Sequence, residues 1–166
     1  MDRLAMLTAK EGDMHVGFIG LGNMGAPLAR RLCTDHRLWV FDQSQTAVDA
    51  FTGTDVEVVK SAAELAESVD IVLTCLPASE DLRSLLFGNQ QMASALKAGA
   101  MLIDMTTGDP GITRDLAVKL AMDGIELIDA PVSGGPKGAT AGTIAIIVGG
   151  SAAQFARALP VLSAIS

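Results

Sequence analysis

At 166 residues the chain is about one domain long, since domains cluster near ~100–150 residues. Twelve Lys and Arg against nineteen Asp and Glu leave a formal charge of −7, which argues against a nucleic-acid or anionic-membrane partner, because affinity for such surfaces comes from basic side chains. Nearly half the residues (49%) are apolar, yet no run approaches the ~20 apolar residues of a membrane span.

Residues 1–14, MDRLAMLTAKEGDM, read as an N-terminal extension ahead of a domain spanning 15–166. They lack the apolar core and small-residue cleavage site of a secretory signal. His15 to Ile19 reads as a short strand, followed by a glycine-rich turn and a helix over Ala26 to Cys33 with Leu28, Leu32 and Cys33 at helical spacing. Leu38 to Phe41 is a second strand ending at Asp42. A weaker helix over Gln45 to Phe51 and a third strand over Val56 to Val59 come next. Ser61 with Glu64 has the spacing of a capping box and starts another helix. Ile71 to Leu76 is a fourth strand stopped by Pro77, with polar helical stretches over Ser79 to Leu86 and Gln90 to Leu96.

Met101 to Asp104 is the fifth strand. Asp109 followed by Pro110 is an N-cap and first-turn pair for a helix reaching Met122. Ile125 to Ile128 is the sixth strand, and Thr143 to Val148 reads as a seventh at or near the sheet edge, where an antiparallel strand is accommodated. Ser151 with Gln154 opens a last helix. This alternation of strands and helices predicts an α/β fold with a doubly wound, mostly parallel sheet. Cys33 and Cys75 fall inside a helical and a strand pattern with no motif spacing. They read as small buried hydrophobes, and a reducing, cytoplasmic compartment is expected.

Gly20-Leu21-Gly22-Asn23-Met24-Gly25 is a G-x-G-x-x-G between a strand and a helix. In a Rossmann-type domain the first Gly makes the tight turn and the second admits a pyrophosphate against the backbone. The third lets the helix pack close to the strand. Asp42 stands about 20 residues on, at the end of the next strand. A carboxylate there accepts hydrogen bonds from both ribose hydroxyls of NAD and repels the 2′-phosphate of NADP, and no Arg adjoins it. NAD is therefore the expected cofactor, with NADP the less favoured one.

Gly17-Phe-Ile-Gly-Leu-Gly-Asn-Met-Gly25, followed by Pro27-Leu28-Ala29, resembles the opening of the 3-hydroxyacid (β-hydroxyacid) dehydrogenase family. Leu76-Pro77 is similar to that family's cofactor-contacting Leu-Pro. Asp104-Met-Thr-Thr107 resembles its Asp-x-Ser-Thr segment, whose last hydroxyl residue, here Thr107, lies near the nicotinamide. Asp129-Ala-Pro-Val-Ser-Gly-Gly135 is similar to the substrate-binding signature. The resemblance implies that Ser133, Gly134 and Gly135 hold the carboxylate and hydroxyl of a small 3-hydroxyacid or semialdehyde, and that the full-length form is a homo-oligomer.

Position 81 is Asp where some relatives carry a cofactor-contacting Asn, so that contact is not carried over. The family's acid/base Lys belongs to a helix equivalent to a segment beyond residue 166, followed by an all-helical domain. The chain is thus expected to bind cofactor and to turn over little by itself. Lys137 follows Ser-Gly-Gly-Pro but reads as a solvated lysine in a variable loop. Imine reductases and 6-phosphogluconate dehydrogenases share such a domain, usually with an Arg-containing NADP signature after the second strand; Phe41-Asp42-Gln43-Ser44 disfavours both. A non-catalytic nucleotide-binding or interaction module is the alternative outside enzymes.

Overall fold

The computed structural model describes residues 14–166, so the expected extension lies, except for Met14, outside the described residues. Six parallel strands form one sheet: β1 (His15–Ile19), β2 (Arg37–Phe41), β3 (Glu57–Val58), β4 (Ile71–Thr74), β5 (Met101–Asp104) and β6 (Glu126–Asp129). Their spatial order is β3-β2-β1-β4-β5-β6. The chain works outward from β1 in one direction, then crosses back to β4 and continues in the other. That reversal leaves a crevice beyond the C-terminal ends of β1 and β4, the place where open α/β sheets bind ligands.

Both faces of the sheet are covered, which explains why its strands are apolar at almost every position. Successive side chains point to opposite sides. Ile71, Leu73, Met101 and Ile103 join a core with Leu28 and Leu32 of α1 (Gly25–Leu32) and with Val161 and Leu162 near the chain's end. Val72 and Leu102 face the other way, into a core with Leu65, Leu82, Leu116 and Leu120. The second core is roofed by α3 (Ala62–Ser68), α4 (Ser79–Phe87), α5 (Met92–Ala95) and α6 (Pro110–Ala121), while the short α2 (Gln45–Asp49) follows β2.

The helix starts obey local chemistry. Asp109 Oδ1 accepts from the Gly111 and Ile112 amides at 2.7 and 3.0 Å, the N-cap expected from Asp-Pro. Ser61 Oγ accepts from the Glu64 amide at 3.1 Å, but Glu64 reaches the Lys60 amide rather than that of Ser61, so the predicted box closes one residue early.

The region after β6 departs from the expected seventh strand. Instead of a strand over 143–148 there are only β7 (Val132–Ser133) and β8 (Ala145–Ile146), paired antiparallel in a sheet of their own. A single antiparallel bridge, Asp129 to Gly149, links this unit to the end of β6. Between β7 and β8 lies α7 (Gly135–Ala141), where the sequence suggested a loop. Its residues GPKGATA carry no apolar period, and only Ala139 packs inward among its side chains. The available signal was Pro136 in the first turn with Gly142 beyond the end, at φ +70°. Lys137 is therefore helical, and it is exposed. The last helix, α8 (Ala152–Ile165), begins with the complete Ser151/Gln154 capping box.

Candidate functional site

The crevice is a cleft of about 670 Å³ formed around the glycine loop between β1 and α1. Gly20 has φ +96°, and a Cβ there would lie 2.3 Å from the Cys75 carbonyl oxygen. A Cβ at Gly25 would lie 1.7 Å from the Gly20 carbonyl oxygen. Gly22 differs: a Cβ on it would have nothing within 4 Å, so this stretch of backbone lies open to an incoming group. These are the three separate demands that a pyrophosphate-binding turn makes of its glycines.

Asp42 follows the end of β2 and is held in place. Its Oδ2 accepts from the Leu21 amide at 2.6 Å, and its Oδ1 from the Ser44 amide at 2.7 Å. Each carboxylate oxygen offers about two acceptor positions, so one per oxygen remains for a ligand hydroxyl pair. Asp42 lines the cleft. Leu21 does not: its side chain is buried in the core, and its amide serves to aim Asp42.

The other expected cofactor residues, Gly20, Gly22, Asn23, Met24, Gly25, Leu76, Pro77 and Thr107, all line the cleft. The expected substrate residues divide. Gly135 reaches the cleft wall, whereas Ser133 and Gly134 do not line it; Ser133 is exposed on β7. Gly134 and Gly135 have φ +134° and +65°, which turns the chain from β7 into α7.

Sequence reading missed several residues of the wall, among them Phe41, Gln43, Ser84, Leu85, Met105 and Thr106. Asp81, whose contact was not carried over, also lines it. Among the described residues lining the cleft there is no Lys, Arg or His, while Asp42 and Asp81 are acidic. An anionic ligand must therefore be held by backbone N–H groups and the positive end of the α1 dipole. The open backbone at Gly22 and the spare acceptors of Asp42 fit a dinucleotide with a free ribose diol.

Beneath the floor sits a polar cluster at the strand ends. Asp104, 1% exposed, accepts at Oδ1 from the Thr74 hydroxyl at 2.9 Å and the Thr106 amide at 3.1 Å. Burial pushes its carboxyl above the ordinary carboxylate range, against the opposing pull of those threonine hydrogen bonds. Asp129, its neighbour on β6, is raised by its own burial and then by the Asp104 charge. A raised carboxyl favours the protonated folded form. The stabilisation from these two groups is complete below the ordinary carboxylate pKa of 3.8 and is lost as pH rises through their shifted values. Cys75 lines the cleft with its thiol pushed up to about 11, by burial first and the Asp104 charge second, so it stays a thiol at neutral pH.

Comparisons with known proteins agree with this geometry. Residues 15–166 match the family described as the NAD binding domain of 6-phosphogluconate dehydrogenase. A 3-hydroxyisobutyrate dehydrogenase of Pseudomonas aeruginosa is 41% identical over 148 residues, covering 89% of this chain and 50% of that protein. A 2-(hydroxymethyl)glutarate dehydrogenase of Eubacterium barkeri is 38% identical over 156 residues, covering 93% and 52%. Among solved structures, a Mycobacterium tuberculosis 3-hydroxyisobutyrate dehydrogenase with L-serine superposes with a TM-score of 0.87 at 35% identity, covering 93% of this chain and 52% of that one. The chain thus spans about half the length of the relatives it matches. With the glycine loop, the held carboxylate and the strand order all in place, the chain belongs to the family of 6-phosphogluconate-dehydrogenase-type NAD-binding domains.

Proposed function

We propose that this chain binds NAD in the cleft and acts as the cofactor-binding half of a dehydrogenase for small 3-hydroxyacids. The observation that carries the cofactor choice is Asp42, fixed by two amides with an acceptor position spare on each oxygen. It receives the adenosine ribose diol and repels a 2′-phosphate; the described residues lining this cleft include no cation, and Lys60 lines the adjoining pocket that shares Asp42. A bound nicotinamide supplies hydride exchange with the carbon bearing the substrate hydroxyl, and the protein supplies position and charge. Thr107 stands beside the nicotinamide in this reading, with Ser133, Gly134 and Gly135 toward the substrate.

The substrates named for the three relatives share a feature: each has a hydroxymethyl group on the carbon next to a carboxylate. A 2-substituted 3-hydroxypropanoate is accordingly the substrate class. The hydroxyl proton must leave in step with hydride, a service worth ~10²–10⁴ in rate. Among the described residues neither Lys nor His lines the cleft to provide it. The chain alone is expected to bind cofactor with little or no turnover. Titration calorimetry with NADH and NADPH, followed by a 3-hydroxyacid assay, tests this reading. At least tenfold preference for NADH with negligible turnover supports it. Rapid cofactor-dependent oxidation by the pure chain overturns the division of labour, and binding of neither nucleotide overturns the reading. The second reading, a non-catalytic binding module, is also compatible with a cleft whose described lining holds no Lys or His. Dependence of NADH affinity on added 3-hydroxyacid separates the two, because only a half-site with a substrate loop responds.

Asp81 sits exposed on the cleft wall in the first turn of α4, an added negative charge facing an anionic ligand. Asp81→Asn is expected to tighten NADH by about two- to fivefold at low salt, with the gain shrinking as salt screens the charge. Calorimetry at two ionic strengths checks it; unchanged affinity at low salt removes Asp81 from the account.

A further inference from the structure

The β4–α4 and β5–α6 loops leave neighbouring parallel strands at the same level, with Thr74 opposite Asp104. Backbone pairing between them ends with the Met105 amide on the Thr74 carbonyl at 2.8 Å. Beyond that point two side-chain ties continue the connection. The Leu76 amide donates to Thr106 Oγ1 at 3.1 Å, and the Asp109 amide donates to Ser79 Oγ at 2.8 Å. Each tie joins residues thirty apart in the chain. The second is also a close approach: a Cβ on Gly108 would lie 2.1 Å from Ser79 Oγ.

Both loops contribute to the cleft wall, with Leu76 and Pro77 from one and Thr106 and Thr107 from the other. Thr106, which receives the first tie, has its own amide anchored on Asp104 Oδ1, the oxygen that also takes the Thr74 hydroxyl. One buried carboxylate oxygen is thus connected through Thr106 to Leu76. Without that acceptor, the Thr106 amide and the Thr74 hydroxyl would lie buried and unpaired, which is costly enough to displace the loop.

We propose that Asp104 is a positioning residue for cofactor binding. Through Thr106 it locks the two loops, with Ser79 as the second fastening, into one rigid wall of the cleft. This inference rests on the cofactor reading above for its binding consequence, while the lock itself is a property of the free chain.

The test compares wild type with Asp104→Asn, Asp104→Ala and Ser79→Ala, well below each thermal midpoint. NADH affinity is read by calorimetry, and amide hydrogen exchange is followed at Leu76, Thr106 and, as a control, Phe18 in β1. The Asn variant keeps an acceptor oxygen and is expected within about threefold of wild-type affinity. The Ala variant is expected to bind NADH about tenfold or more weakly, with faster exchange at Leu76 and Thr106 and no change at Phe18. Ser79→Ala is expected to weaken NADH by about threefold. An Ala variant with a lower midpoint but wild-type affinity and exchange overturns the proposal and leaves Asp104 a purely structural residue. Should that variant fail to fold, Thr106→Val takes its place: it deletes the acceptor for Leu76 and keeps the amide on Asp104. Faster exchange at Leu76 with weaker NADH then upholds the lock, and unchanged values overturn it. If wild type binds no NADH, the functional reading fails separately, and the binding role of Asp104 falls with it; the exchange arm still decides the lock.

Discussion

Gly25→Ala is expected to cost about 3 kcal/mol or more of folding stability and to abolish measurable NADH binding. The new methyl would lie 1.7 Å from the Gly20 carbonyl oxygen, which is backbone in a tight turn and cannot rotate aside. Either α1 retreats from β1 or the turn opens, and both destroy the amide arrangement above the helix. Gly22→Ala is the matched control. Nothing lies within 4 Å of its added methyl, so stability should stay within about 0.5 kcal/mol of wild type. Affinity should still drop by about tenfold or more, because the methyl takes the space through which phosphate approaches the backbone. Urea denaturation and calorimetry on the pair separate folding from binding. Equal effects of the two substitutions would mean that the glycines serve one common purpose.

Asp42→Ala should carry the largest change in cofactor choice. It removes the two spare acceptors for the ribose diol and the charge that opposes a 2′-phosphate. The ratio of NADH to NADPH affinity is expected to fall by about a hundredfold, since charge-assisted hydrogen bonds contribute about 1.5–3 kcal/mol each. Some loss of both affinities should accompany it, because the Leu21 and Ser44 amides lose their acceptor. Parallel titrations with the two reduced cofactors measure the ratio directly. A variant that loses NADH and NADPH equally would show that Asp42 only organises the loop.

The electrostatics of the cleft place unusual weight on the backbone. A dinucleotide carries at least two phosphate charges, yet the described residues of the cleft wall offer two carboxylates and no cation. Binding then depends on amide geometry, which is why the glycines and the loop ties should matter more than any single charged side chain. A cationic site tolerates small displacements because Coulomb attraction declines slowly with distance. Amide hydrogen bonds weaken steeply off-axis. Rigid loops are the natural companion of such a site.

Much of this was readable along the chain because it depends on neighbours in sequence. The strand-turn-helix about Gly20 to Gly25, the acidic residue closing β2 and the caps at Asp109 and Ser151 are all short-range features, and each appears in the fold. The parallel sheet was legible for a related reason: strands covered on both faces are apolar through their middles, as β1, β4 and β5 are, with polar residues confined to their ends. The features that escaped are those with no local signature. The helix Gly135–Ala141 has no apolar period, since it lies over the surface with Ala139 as its buried side chain. The strand expected over 143–148 is cut to two residues because it pairs with Val132–Ser133 instead of extending the main sheet. The motif cannot show how Leu21 is used: the core takes its side chain and Asp42 its amide. Which residues around Asp104 bond to one another was decided only when β4 and β5 came into register, bringing partners thirty positions apart within hydrogen-bonding reach. Sequence by itself determined the family, the glycine turn and its acidic partner; tertiary structure decided how the loops around the cleft are held, because their partners meet only across the folded sheet.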